Sequence, residues 1–345
     1  MVFSQSSYDL RFDWGLSGAA AIAPGAFVVA VVDVLSFTTA LTVAAENGTA
    51  VLPHRWRDPS AADAARRHNA ALAVGRSQAR RLSQPVPAPS PGGGPRSQPV
   101  PAPSPGGGPR SQPLPASLPG GGPRSQPLPA SSPDGGPGSQ PVPAPSPGGG
   151  PRSQAGASSG PGADSQAGGD PQPTHGEVSL SPATIAAASH LERLILPSPN
   201  GSTISAALAE TGATVVGVSL RNASAAAAWV RTRAAGRPIA VVAAGERWPD
   251  GNLRPAIEDL WGAGAFLHHL TTPLGPRISH SSPEAAVAIA AYQAAAPTLP
   301  SLLAETASGR ELTANGYPED VSVAAAVNTS HAVPLLIEGW FRPAT

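Results

Sequence analysis

The strongest patterned segment of this chain is Phe27-Val28-Val29-Ala30-Val31-Val32, an apolar run without alternation that closes on Asp33. A near-continuous β-branched run reads as a central strand of a parallel sheet, covered on both faces. Open parallel sheets bind ligands beyond the carboxyl ends of their strands, so Asp33 falls at the rim where chemistry is placed. Ser36-Phe37-Thr38-Thr39 then open a helix, whose first N–H groups lack partners and suit an anionic oxygen.

The same grammar recurs three times. Leu194-Ile195-Leu196 precedes a small, polar turn, Pro197-Ser198-Pro199-Asn200-Gly201-Ser202-Thr203, and a helix-like stretch from Ile204 to Glu210. Thr214 to Leu220 predicts a third strand, ending on Arg221-Asn222 before an Ala-rich helix over 223–235. Ile239 to Ala244 predicts a fourth, ending on Gly245-Glu246-Arg247. If these strands lie side by side, Asp33, Asn200, Arg221, Asn222, Glu246 and Arg247 gather along one edge of the sheet, around one cleft.

From Ser83 the periodicity stops. A 14-residue unit, Ser-Gln-Pro-Val-Pro-Ala-Pro-Ser-Pro-Gly-Gly-Gly-Pro-Arg, runs five times to about Arg152, and a degenerate tail continues to about Thr174. The chain's 43 Pro and 38 Gly are concentrated there. Such a segment has almost nothing apolar to bury and cannot offset the entropy of ordering itself. Gly does not occupy every third position, as a collagen helix requires, and no unit offers a solenoid's buried face. The expected organisation is therefore one α/β domain in two pieces, 1–82 and 176–345, interrupted by a disordered insertion at 83–175. A flexible loop can be lengthened at little entropic cost.

Composition then narrows the chemistry. Acidic and basic residues balance at 22 each, so neither nucleic acid nor a membrane is expected as a partner. Every basic residue is Arg, which removes Schiff-base and P-loop chemistry. The absence of Cys removes thiol nucleophiles and Cys-ligated metals. The start has no cationic, apolar signal pattern, and the apolar stretch at 19–35 is broken by Pro24 and Gly25. A soluble, cytoplasmic protein is expected, with small-faced Ala-rich helices that could support a homodimer.

Asp33 is better cast as a ligand for a hard cation such as Mg²⁺, which takes carboxylate, water and substrate phosphate oxygens, than as a simple cap of the following helix. An aspartyl-phosphate phosphatase would need a second Asp where Leu35 stands, and a dinucleotide fold would need glycines between 33 and 39. The turn Ser198 to Thr203 offers Gly for close backbone approach and hydroxyls for phosphate or sulfonate oxygens. Glu246-Arg247 sets a metal ligand or acid/base group beside a forked cation, or forms a surface ion pair. Glu258-Asp259 lie on a helix expected from about Arg254 to just before Gly262-Ala263-Gly264. Adjacent helical residues point about 100° apart, so one of the two faces the cleft. His268-His269 lack the spacing of a helical zinc pair and read as structural, and Asp320 reads as a helix cap.

In order along the chain, Val31-Val32-Asp33-Val34-Leu35-Ser36-Phe37-Thr38-Thr39, Leu72-Ala73-Val74-Gly75-Arg76, Ser179-Leu180-Ser181-Pro182, Pro199-Asn200-Gly201-Ser202, Ser219-Leu220-Arg221-Asn222-Ala223, Ala244-Gly245-Glu246-Arg247, Glu258-Asp259 with Gly262-Ala263-Gly264, and Ser308-Gly309-Arg310-Glu311-Leu312 resemble the signatures of the 2-phosphosulfolactate phosphatase (ComB-like) family. The resemblance runs from about Phe27 to Gly339 outside the insertion. It implies a three-layer α/β/α fold with a mostly parallel sheet. It also implies Mg²⁺-dependent hydrolysis of 2-phospho-3-sulfolactate to 3-sulfolactate and phosphate, a step toward coenzyme M. Two motifs depart from the family. The first usually reads Asp-Val-Leu-Arg-Ala-Thr-Thr, where this chain has Ser36-Phe37, and a Gly-Glu-Arg motif is reduced to Gly75-Arg76.

On this resemblance Asp33, Glu246, Arg247 and Asp259 form the catalytic group, with Asp33, Glu246 and Asp259 as candidate metal ligands. Ser36, Thr38, Thr39, Ser181, Asn200, Gly201, Ser202, Arg221 and Asn222 would contact a small anionic phosphomonoester. A metal-bound water or Asp33 itself would be the nucleophile. The competing expectation is a catalytically degenerate member that binds a small anion, or a protein partner through its Pro-rich arm.

Overall fold

A computed structural model describes residues 2–55, 58–82, 177–188, 190–272 and 280–345. The expected insertion at 83–175 lies outside the described residues. These contain strands β1 (Leu10–Trp14), β2 (Val28–Val32), β3 (Ala50–His54), β4 (Ala71–Val74), β5 (Glu177–Ser179), β6 (Arg193–Pro197), β7 (Thr214–Val218), β8 (Ile239–Ala243), β9 (Glu246–Arg247), β10 (Leu253–Arg254), β11 (Pro334–Ile337) and β12 (Trp340–Pro343). The helices are α1 (Gly15–Ile22), α2 (Phe37–Glu46), α3 (Pro59–His68), α4 (Arg76–Leu82), α5 (Pro182–Ala187), α6 (Gly201–Leu208), α7 (Ala223–Ala234), α8 (Ile257–Thr271), α9 (Pro283–Ala295), α10 (Leu299–Glu305), α11 (Ala307–Ala314) and α12 (Pro318–Ala324).

Ten strands form one mixed sheet in the order β1-β8-β2-β7-β11-β12-β3-β6-β4-β5. Two parallel quartets, β1-β8-β2-β7 and β3-β6-β4-β5, are joined by the antiparallel β11–β12 hairpin. Each junction rests on one residue pair, Leu335 with Val216 and Phe341 with Val51. The strand ends predicted to stand together are thus divided: β2, β7 and β8 are neighbours, whereas β6 lies in the other quartet.

The apolar runs behave as their composition dictates. Alternate residues of β2 enter different cores: Val28, Ala30 and Val32 face α7, α8 and α9, while Val29 and Val31 face α1, α2 and α6. Every β2 side chain is buried, and full burial of each valine is worth about 1.5–3 kcal/mol. Helices on both faces give the three-layer α/β/α architecture. One helical stretch, Pro283–Glu305, is long and apolar enough to cross a membrane. Here it covers the sheet, with Ala285, Ala288, Tyr292 and Ala295 turned into the core.

Helix α8 corrects the expected boundary, because it runs through Gly262 and Gly264 instead of stopping before them. The two glycines serve close packing. A Cβ on Gly262 would meet Val32 and Val34 at under 3 Å, and one on Gly264 would lie 2.0 Å from the Ala288 carbonyl oxygen of α9. Burial and tertiary contact override the helix cost of glycine.

Candidate active site

Asp33 follows β2 directly and is buried at the N-termini of two helices. Its Oδ1 accepts from the Phe37 N–H of α2 (3.2 Å), and its Oδ2 accepts from the Gly201 N–H of α6 (2.9 Å). Helix N-termini favour a negative charge in this position. Only glycine fits at 201, since a Cβ there would stand 2.3 Å from the Phe37 ring and 2.7 Å from Asp33 Oδ2. This contact brings the β6 turn against β2 even though the strands belong to different quartets. Thr38 and Thr39 lock the same corner from behind: Thr38 Oγ1 donates to the Asp33 carbonyl and Thr39 Oγ1 to the Val34 carbonyl, each at 2.7 Å.

Asp33 opens into a cavity of about 430 Å³. Ser36, Asn200, Glu246 and Arg247 share its wall, joined by Arg76, Arg254, Ser308 and Glu311. The β9–β10 hairpin carries Glu246, Arg247 and Arg254 to the cavity. Asn200 Nδ2 donates to Glu246 Oε2 at 3.1 Å. Burial first, then the nearby Asp33 charge, pushes the Glu246 carboxyl from its ordinary 4.5 up to about 7, against the opposing pull of Arg254 and the Asn200 bond.

That shift predicts a pH-dependent stability in the metal-free protein. Between about pH 4.5 and 7 the folded state keeps a proton that the unfolded chain has released. The resulting stability is complete below 4.5 and is lost as pH rises through 7. Glu246→Gln cannot ionise, so it should melt several degrees above wild type near pH ~8, equivalent to roughly 1–3 kcal/mol, and with it near pH ~4. Thermal melts at the two pH values, without divalent cations, check this.

Asp259 sits behind the wall. Its Oδ1 accepts from the Val34 N–H (2.7 Å) and its Oδ2 from the Gly245 N–H (2.9 Å), tying the end of β2 to the turn that launches Glu246. Burial, followed by the charges of Asp33 and Glu258, raises its pKa well above the usual range. With both oxygens held by backbone, Asp259 positions Asp33 and Glu246, which do reach the cavity.

Other expected residues stand outside the cavity wall. Arg221 donates to the Val323 carbonyl (3.1 Å) and to both Glu46 carboxylate oxygens (3.0 and 3.2 Å). Asn222 accepts from the Ser219 N–H and donates to the Gly217 and Ala332 carbonyls, which fixes the turn after β7. Ser202 Oγ donates to the Leu196 carbonyl at 2.8 Å. Ser181 caps α5, accepting from the Thr184 N–H, and donates to Asp320.

The residue that sequence reasoning passed over is Arg76, the first residue of α4. Its Nη2 donates to Ser36 Oγ at 3.0 Å, and its Nε to Asp320 Oδ2 at 2.7 Å. The guanidinium also lies 5.6 Å from the Tyr317 ring centroid. Asp320, read from sequence as a cap, is almost wholly buried in the first turn of α12, where it also accepts from Ser181 and the Ala183 N–H. Gly75-Arg76 and the Ser308 to Leu312 motif were the available signals for this side of the cavity. Arg254 had none.

Asp33 and Glu246 offer hard oxygen donors of the kind divalent cations use. Among the described residues no three His, Cys, Asp or Glu side chains are grouped as a metal cage. A cation here would complete its shell with water and substrate oxygens, which suits an ion that keeps much of its hydration. The fit is supported by Glu246, whose carboxyl is raised first by burial and then by the Asp33 charge, a repulsion that a cation would relieve.

No curated protein matches the chain. Residues 172–339 match a family model described as 2-phosphosulpholactate phosphatase. That span, which holds Asn200, Glu246, Arg247, Arg254 and Asp320, is similar to the 2-phosphosulpholactate phosphatase family, and the match supports assignment of the chain to it.

Proposed function

We propose that this cavity performs Mg²⁺-dependent hydrolysis of a small phosphate monoester, with 2-phospho-3-sulfolactate as substrate and 3-sulfolactate and phosphate as products. The observation that carries the reading is the convergence of Asp33 and Glu246 with Arg76, Arg247 and Arg254 on one cavity. In this hydrolysis a water oxygen bonds to phosphorus as the bond from phosphorus to the ester oxygen breaks. The released alkoxide takes up a proton. Such reactions need little covalent help but strong stabilisation of charge on the transferring oxygens.

The chain's own groups divide this work. Arg247 and Arg254 flank Glu246 and supply forked donors to phosphoryl oxygens. Arg76, held by Asp320, binds the acidic substituent of the substrate from the Ser36 side. Ser36 stands where the resembling family's first motif carries Arg, and Arg76 brings a guanidinium to it from another strand end. Asn200 orients Glu246. Asp33 and Glu246 would hold Mg²⁺, which supplies Lewis-acid neutralisation of the phosphoryl group when bound. Charge balance supports a role for the ion. The wall sets Asp33, Glu246 and Glu311 against Arg76, Arg247 and Arg254, a formally neutral set that needs added positive charge to attract a phosphate dianion.

A panel of phosphomonoesters assayed for phosphate release tests this. Hydrolysis of 2-phospho-3-sulfolactate with Mg²⁺, lost on chelation and restored by the ion, is the expected result. No release from any monoester in the presence of Mg²⁺ would overturn it.

A further inference from the structure

A second cavity, about 310 Å³, adjoins the first and shares Pro199, Asn200, Glu246 and Arg247 with it. Its far wall is different in kind: Trp14, Leu16, Ile204 and Leu253 stand there, with Ser17 and Asn252 among them. Leu16 and Leu253 are exposed large apolar side chains, and they lie on the same cavity instead of being scattered over the surface. Two backbone positions make room for this wall. Gly15 and Gly245 both have positive φ, at 61° and 65°, which favours glycine. A Cβ at Gly15 would lie 3.3 Å from Leu253, and one at Gly245 only 2.7 Å from Leu253 and 3.6 Å from the Trp14 ring. Side chains at those positions would crowd the space beside Leu253.

A charged, Arg-lined cavity beside one with a Trp- and Leu-lined wall, with Asn200 and Glu246 at their junction, matches a ligand of two unlike halves. Binding sites commonly fix orientation with a few polar groups and gain affinity from an apolar lining. We propose that the second cavity is a subsite for the organic part of a phosphomonoester bearing an apolar or aromatic group, so that the site accepts esters bulkier than 2-phospho-3-sulfolactate. This inference rests on the phosphatase reading for the location of the phosphoryl group. It adds the class of alcohol that the enzyme accepts. Trp14 and Leu253 are then specificity residues that contact the organic part and not the reacting phosphorus.

Phosphonates, whose C–P bond is not hydrolysed, separate the two readings, because their binding needs no turnover. Calorimetry of the full chain with Mg²⁺ should show benzylphosphonate binding at least about tenfold tighter than methylphosphonate. One or two buried apolar contacts suffice for a difference of that size. Leu253→Ser alters a side chain that is 41% exposed and adds no charge beside Arg247 and Arg254, and should therefore fold. It should abolish the preference while leaving methylphosphonate affinity unchanged, and Trp14→Ala should do the same. Equal affinity for the two phosphonates in wild type, or a preference that survives both substitutions, would overturn the subsite. The phosphatase reading would then still stand on phosphate release. If neither phosphonate binds, the anion cavity and the subsite fall together.

Discussion

Asp33→Asn is expected to lower phosphate release by at least about a thousandfold, the scale seen when a preorganised charge-stabilising group is lost from an active site. The substitution removes the negative charge while keeping side-chain size. It also introduces a donor where two backbone donors, the N–H groups of Phe37 and Gly201, now find acceptors. One of those N–H groups loses its partner in a buried site, at a cost of about 1–3 kcal/mol. The variant should therefore melt a few degrees lower yet remain folded, and its activity should not recover at any Mg²⁺ concentration. Phosphate release measured beside a thermal melt checks both parts. Folded protein with near-native turnover would remove Asp33 from the chemistry.

The second large effect is expected at Asp320, outside the cavity wall. Asp320→Ala deletes the carboxylate that holds Arg76, Ser181 and the start of α5 together. Breaking one side of a buried ion pair costs about 3–5 kcal/mol, because the remaining charge is left without its partner. Denaturant unfolding should show a loss of that size. Asp320→Asn keeps an acceptor and a similar shape, so it should fold better. Its KM should rise at least about tenfold while kcat falls less, since Arg76 contributes to holding substrate and not to the reacting bond. A kcat loss without a KM change would place Arg76 differently.

The sequence made the strands legible and left their order hidden. β2, β6, β7 and β8 are apolar runs bounded by small or polar turns, and each formed within a residue or two of the expected limits. What the pattern could not convey is that β11 and β12, two four-residue strands near position 340, would stand between the quartets. Local signals encode periodicity, whereas the neighbours of a strand are decided by tertiary packing. Glycine misled at α8 for a related reason: read alone it ends a helix, but beside Val32, Val34 and Ala288 it permits contact.

The candidate site divides along the same line. A strand end predicts which edge a residue occupies and not where its side chain is engaged. Asn200 and Glu246 reach the cavity, whereas Asn222 bonds its own turn and the Ala332 carbonyl, and Arg221 turns to Glu46. Arg76 escaped notice because its partners, Ser36 and Asp320, are 40 and 244 residues away in sequence. Nothing in the Gly75-Arg76 dipeptide announces either.

The placement of β11–β12 also bears on how the chain is made. Every other described strand precedes this hairpin in the chain, so until the hairpin is made β7 and β3 each present an open row of backbone donors and acceptors. Unpaired strand edges of this kind are templates for association with other chains. The gap between the quartets therefore stays open until β11 (Pro334–Ile337) and β12 (Trp340–Pro343) have been made and have docked. Docking of this hairpin, more than the collapse of either quartet, is the step that ends that exposure.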